Sequence, residues 1–193
     1  MEIERTLFPK LVTEMDRRFV SVLVGPRQVG KTHLLHAVER EAAARGRRTA
    51  WFDLENPEHL PLFNREDRGV ISLLRGAGDV VFLDEFHYLK DAGRLLKALH
   101  DSRAGPKIYV SGSSSPAIHA HLKESLAGRF RLSVVHPLAF RAESSQATGV
   151  TFADHLIWGG LPGLVHERTA ADRMALLRDV VSAYLLKDVK SLV

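Results

Sequence analysis

The sequence predicts an α/β fold: a mainly parallel sheet covered by helices on both faces, with a small helical extension at the C-terminal end. Three observations carry this. Apolar runs of strand length alternate with helix-period segments from residue 19 to residue 135. The runs are almost continuously apolar, as strands buried on both faces must be. A glycine-bearing loop joins the first run directly to the first long helical segment.

Phe19-Val20-Ser21-Val22-Leu23-Val24 reads as the first strand. Thr32 to Arg45 follows as a helix, with Leu34, Leu35, Val38 and Ala42 at helical spacing and Gly46 placed to end it. Arg48 to Leu54 is the second strand, closed by the turn Glu55-Asn56-Pro57, and residues 58 to 76 hold short helices. Asp79 to Glu85 is the clearest strand, four apolar residues ending in two carboxylates. Ala92 to Ser102 is helical, Lys107 to Ser111 is the fourth strand and Arg131 to Val135 the fifth. From Thr151 the pattern becomes helical, and residues 170 to 187 place Met174, Leu177, Val181 and Leu185 on one face that must bury against the sheet domain, a partner or a further domain. The expected organisation is a core over 1–148 and an extension over 149–193.

The loop Gly25-Pro26-Arg27-Gln28-Val29-Gly30-Lys31-Thr32 fills the pattern G-x-x-x-x-G-K-[ST]. Gly25 and Gly30 permit backbone angles that let successive N–H groups turn inward and cradle phosphate oxygens. Lys31 supplies a positive charge to the terminal phosphates, and the Thr32 hydroxyl suits a magnesium ion. His33, the next residue, completes the candidate nucleotide-binding set of residues 25 to 33. Strand, loop and helix in this order predict a three-layer P-loop NTPase.

Asp84 and Glu85 end the third strand, where ligands of such sheets sit. Asp84 is the second candidate for Mg²⁺, shared with Thr32, and Glu85 the group that orients or deprotonates an attacking water. That pair favours a hydrolase over a small-molecule kinase. Ser111-Gly112-Ser113-Ser114-Ser115 follows the fourth strand, and Ser113 is the candidate to bind the attacking water or a phosphate oxygen. The same serines also read as a turn capping a short helix at Pro116. Arg129 is the candidate for stabilising charge at the transferred phosphate, in cis or from a neighbouring subunit; its alternative is a solvated side chain. Arg27 is a rival that points outward.

Composition bounds the rest. The 193 residues are 45% hydrophobic and 26% charged, enough to bury the core of one domain. With no Cys, a disulfide framework, a thiol nucleophile and a thiolate zinc site are excluded. His33 with His36 and His119 with His121 do not take metal-site spacing. No apolar stretch reaches the roughly 20 residues that span a bilayer, and the N-terminal residues lack a leader pattern, so a cytoplasmic protein without a membrane partner is expected. The net charge is +4, from 19 Arg and 8 Lys among the cations. The cluster Arg45-Arg47-Arg48 reads as a solvated helix end rather than a nucleic-acid surface, and Arg17-Arg18 is a second basic pair. Asp84-Glu85-Phe86-His87 spells a helicase box, yet the chain has length for one sheet domain only.

With these motifs in place the chain resembles prokaryotic AAA-type P-loop ATPases. The likeness rests on residues 25–32, Leu83-Asp84-Glu85, Ser111 to Ser114, Ser125-Leu126-Ala127-Gly128-Arg129, His136 to Phe140, Trp158 to Pro162 and Tyr184 to Asp188. It implies a core with an additional strand and a catalytic glutamate, and it implies a motif arginine, carried onto Arg129. It also implies a C-terminal domain of unknown function, of which residues 149–193 would be the beginning. The departure is Phe86-His87, where relatives carry an aliphatic residue and Gln. The expected function is Mg²⁺-dependent ATP binding and hydrolysis. The alternative is an ATP-bound switch that recognises DNA or a protein and turns over little. A homo-oligomer is compatible with either reading. Leu7 and Phe8 are candidate contacts for the base.

Overall fold

The computed structural model describes residues 3–102, 105–113, 128–146 and 149–184. It groups the chain into two compact units: residues 7–25 with 31–134, and residues 1–6 with 26–30 and 135–193. The serine turn at Ser114 to Pro116, Ser125 to Ala127, His119, His121 and the chain from Leu185 onward lie outside the described residues.

The first unit is built on five strands: β1 (Val20–Gly25), β2 (Thr49–Asp53), β3 (Val80–Asp84), β4 (Lys107–Ser113) and β5 (Phe130–Val134). Their order is β2-β3-β4-β1-β5, and all four pairings are parallel. β4 is the additional strand, inserted between β1 and β3. The helices are α1 (Phe8–Glu14), α2 (Lys31–Ala44), α3 (Leu60–Phe63), α4 (Asp67–Ala77) and α5 (Ala92–Asp101).

Strand alternation sorts the side chains into two faces. Val20, Val22, Val24, Val81, Leu83, Ile108 and Val110 form one buried face with Val70 and Leu74 of α4 and Leu95, Leu96 and Leu99 of α5. The opposite parity carries Ser21, Phe82, Asp84, Lys107, Tyr109 and Ser111, all buried. Phe82 and Tyr109 stack there at 5.3 Å, and the Tyr109 hydroxyl donates to the Leu11 carbonyl of α1 at 2.6 Å. This face is the more polar of the two, and it is the one that ends in Asp84.

Helix α1 is absent from the sequence expectation. Pro9 occupies its first turn, and Leu11, Val12 and Met15 are buried. Leu7, expected near a base, is its N-cap residue.

The second unit collects the N-terminal arm, the loop and the C-terminal segment. Glu4 N–H donates to Gln146 Oε1 at 2.9 Å, and Leu138 N–H donates to the Gly160 carbonyl at 2.6 Å. Helix α6 (Phe152–Trp158) opens on a capping box between Thr151 and Asp154, and α7 spans Ala170–Tyr184. Arg173 of α7 pairs with Asp154 at 2.9 Å. The compact units divide at 134/135, where residues 135–146 are tied to residues 4–6. The face of α7 marked by Met174 and Val181 stays exposed, at 43% and 56%, while Leu176 packs on Gly163.

Candidate nucleotide-binding site

Parallel strands end at one edge, and the register brings three chemistry-bearing ends together there. Gly25 of β1 pairs with Ser113 of β4, and Leu23 with Ser111. Asp84 ends β3 and is 5% exposed. Its Oδ1 accepts the Glu85 N–H at 3.0 Å and the Ser111 hydroxyl in a short hydrogen bond. Oδ2 takes no hydrogen bond among the described residues, so one carboxylate oxygen is held by protein and the other is left for a cation. Ser113, the expected serine, stands half-buried at the strand end. Ser111 is the one that reaches Asp84, because Leu83 pairs with Val110 and the next position of each strand sets Ser111 beside Asp84, with Ser113 two residues further on.

Glu85 breaks the strand. Its φ of 54° and ψ of 46° are left-handed, a conformation that side chains adopt rarely and that concentrates at functional sites. The turn feeds a short 3₁₀ helix, Phe86–Tyr88, which returns His87 towards Glu85. His87 Nδ1 lies 3.1 Å from Glu85 Oε2. Both atoms are buried without a well-directed hydrogen bond among the described residues. Unsatisfied polar atoms in an interior cost stability unless a ligand or water completes them, so the pair fits a site that receives a polar group. Gly112 makes the turn fit: a Cβ there would lie 2.9 Å and 3.0 Å from Phe86 ring carbons.

Lys31 opens α2 and is 6% exposed; its ammonium donates to the Gly25 carbonyl at 3.0 Å. Thr32 and His33 follow, exposed, on the first turn. Helix N-termini favour anions because their first N–H groups lack helical partners. In the other unit, Gln28 and Gly30 take positive φ of 60° and 87°, the backbone alternation that forms an anion-binding nest. Val29 between them is buried, Arg27 is half-buried, and Pro26 and Gln28 are exposed.

Arg129 does not join this edge. It precedes β5, its carbonyl accepts from Val20 N–H at 2.9 Å, and its Nε pairs with Asp101 at 2.8 Å. Val20 begins β1 and Gly25 ends it, so Arg129 lies at the amino edge, roughly 15 Å from the loop's first glycine at about 3.3 Å per strand residue.

The residue that sequence reasoning passed over is Glu143. Its carboxylate accepts from Thr6 N–H at 2.8 Å, Thr6 Oγ1 at 3.0 Å and Ala139 N–H at 3.0 Å, and it pairs with Arg5 at 3.2 Å. Burial pushes its acidity towards the neutral form, but these N–H donors and the Arg5 charge prevail and hold the carboxyl below its ordinary range.

A parallel sheet in this strand order, with a glycine loop after β1 and an Asp-Glu pair after β3, defines the P-loop nucleotide-binding class. Residues 17–143 match the family model AAA_14, an AAA domain, and the chain belongs to that family of prokaryotic AAA-type P-loop ATPases. It is 30% identical to the uncharacterized proteins Rv2008c of Mycobacterium tuberculosis and Mb2031c of Mycobacterium bovis. Those matches cover 95% of this chain and 39% of each relative, so the chain spans about two fifths of their length. Domain III of the Thermotoga maritima replication initiation protein DnaA has a similar fold, with TM-score 0.55 and 16% identity over 94% of this chain and 83% of that one. AMPPCP-bound DnaA from Aquifex aeolicus follows at TM-score 0.52 and 14% identity, over 95% and 63%. Among the described residues, no helix is long and apolar enough to cross a membrane.

Proposed function

We propose that this chain binds ATP with Mg²⁺ and hydrolyses it. The observation that carries the reading is the Asp84-Glu85 corner: one carboxylate fixed by Ser111 with an oxygen to spare, the next turned left-handed with a buried, uncompleted oxygen. Residues 25 to 33 bind the phosphates, through the N–H groups of Pro26-flanking Gly25, Arg27, Gln28, Val29, Gly30 and Lys31 and through the first turn at Thr32 and His33. Thr32 and Asp84 would hold the magnesium ion, which neutralises phosphate charge when bound. Glu85 takes a proton from water as its oxygen attacks the γ-phosphorus and the bond to the bridging oxygen breaks. Lys31 meets the charge that develops, and Ser113 donates to the phosphate or to the water. Arg129, remote from its own site, acts on a neighbouring copy, so turnover depends on a homo-oligomer.

The second reading, a switch with little turnover, draws on the same corner, because His87 Nδ1 stands 3.1 Å from the Glu85 oxygen that water would use. A DNA partner draws on a concavity of about 630 Å³ lined by Lys10, Arg17, Arg18 and Arg131, with Phe19 among them. One experiment separates the readings. Glu85→Gln should keep nucleotide affinity and lose at least roughly 100-fold in turnover, as removal of a proton acceptor does. Wild-type turnover in that variant would remove Glu85 from its role. Tight binding with negligible turnover in the wild type, with and without single-stranded DNA, would favour the switch.

A further inference from the structure

We propose that Arg5, anchored by Glu143, is a positioning residue that orients the phosphate-binding loop through the Val29 carbonyl, so that the Gly30 N–H points to the nucleotide. The inference rests on the nucleotide-binding reading of that loop, and all of its contacts lie within one compact unit.

Arg5 Nη1 donates to the Val29 carbonyl at 2.7 Å, Nη2 to the His136 carbonyl at 2.7 Å, and Nε to Glu143 Oε1 at 3.2 Å. The guanidinium is 10% exposed and the Glu143 carboxylate 4%. A planar fork with fixed donor directions can join three acceptors at once; an ammonium cannot. Glu143 is itself immobilised by Thr6 and Ala139, so the fork is held from behind.

The consequence follows from the peptide unit. The Val29 carbonyl and the Gly30 N–H belong to one planar group and point in opposite directions. A guanidinium that captures the carbonyl on one side therefore aims the N–H to the other. Gly30 has φ of 87°, where the backbone lacks a preference of its own and an external contact decides. A Cβ on Gly30 would stand 3.4 Å from Arg5 Nη1 and 3.7 Å from Pro162, which shows how closely the arm approaches. Because Glu143 neutralises the guanidinium, Arg5 contributes direction rather than charge. Nothing local in the sequence pairs residue 5 with residues 29 and 143.

The test has two arms on the full chain. The first needs no nucleotide: the Gly30 amide ¹H and ¹⁵N chemical shifts by NMR in wild type, Arg5→Ala, Arg5→Lys and Glu143→Gln. In Arg5→Ala the Gly30 amide resonance should shift or broaden, because its peptide unit loses the guanidinium on the Val29 carbonyl, with the amides of β1 and β4 unchanged. The second arm measures Mg²⁺-ATP affinity and turnover. Arg5→Ala should weaken Kd by roughly 10- to 100-fold, the range of a lost charged hydrogen bond, with kcat at saturation within about threefold. Arg5→Lys should not restore either value, and Glu143→Gln should give a smaller shift in both.

A wild-type Gly30 amide resonance in folded Arg5→Ala overturns the proposal, as does a shifted resonance with an unchanged Kd. If Arg5→Ala fails to fold, wild-type behaviour of Arg5→Lys and Glu143→Gln in both arms overturns it. A wild-type protein that binds no nucleotide defeats the proposed function, and the assignment to nucleotide positioning falls with it. An unchanged Gly30 amide resonance beside intact nucleotide binding defeats this inference alone.

Discussion

Lys107 begins β4 at the amino edge, 7% exposed, with its ammonium donating to the Phe19 carbonyl at 2.7 Å and to Ser21 Oγ at 2.9 Å. It sits 4.4 Å from the Phe19 ring centroid and 4.9 Å from that of Tyr109. Burial lowers its pKa from 10.5 to about 8, opposed in part by the nearby Glu14 charge. The folded chain therefore releases this proton more readily than the unfolded chain does. Between the two pKa values the unfolded state holds more protons, so stability rises with pH across that window. A folded value of about 8 against 10.5 gives a gain of about 1.3 kcal/mol between pH 7 and pH 9. Lys107→Met keeps the length of the side chain and removes the proton. Urea unfolding of both proteins at pH 7 and pH 9 isolates the contribution as the difference between their pH responses. The baseline stability of the variant will also change, since Phe19 and Ser21 lose a donor, but that change is common to both pH values. Parallel pH responses, agreeing within about 0.3 kcal/mol, would refute a buried cation of lowered pKa at this position.

Two further outcomes follow from the edge that carries Asp84. Gly112→Ala would drive a methyl group into the Phe86 ring, which is 1% exposed and cannot retreat, at a cost of about 1–3 kcal/mol measurable by urea unfolding. Ser111→Ala removes the hydroxyl that orients Asp84. It should raise the Mg²⁺ concentration needed for nucleotide binding by roughly tenfold, the lower end for loss of a ligand-orienting partner, as measured by Mg²⁺ titration.

The middle of the sheet was legible because β1 and β3 are runs of mostly apolar residues buried on both faces, a local pattern that needs no tertiary information. The loop and Asp84-Glu85 were legible because spacing within a few residues encodes them. Arg129 shows a signal present but unused: in a parallel sheet, a residue just before a strand must lie at the edge away from the ligand. The choice between Ser111 and Ser113 turned on the register of β3 against β4, which sets Ser111 level with Asp84 and which single-strand reading does not supply. In α7, Met174 with Val181 and Leu176 with Val180 mark two apolar stripes, and only contacts such as Leu176 on Gly163 decide which is covered. Arg5 and Glu143 lie 138 residues apart, beyond any periodic signal.

The strand order has a consequence for synthesis. β1 is made early, yet both of its neighbours are made late: Ser21 pairs with Tyr109 and with Arg131. A ribosome adding about 5–20 residues per second leaves β1 without its sheet partners for roughly 4–20 s. Throughout that interval a strand of six buried residues, most of them apolar, must avoid pairing elsewhere. The β2–β3 pair, only some thirty residues apart, can form first and wait. Closure of the sheet around β1 is thus a late event on the nascent chain, and the loop that follows β1 gains its framework only then.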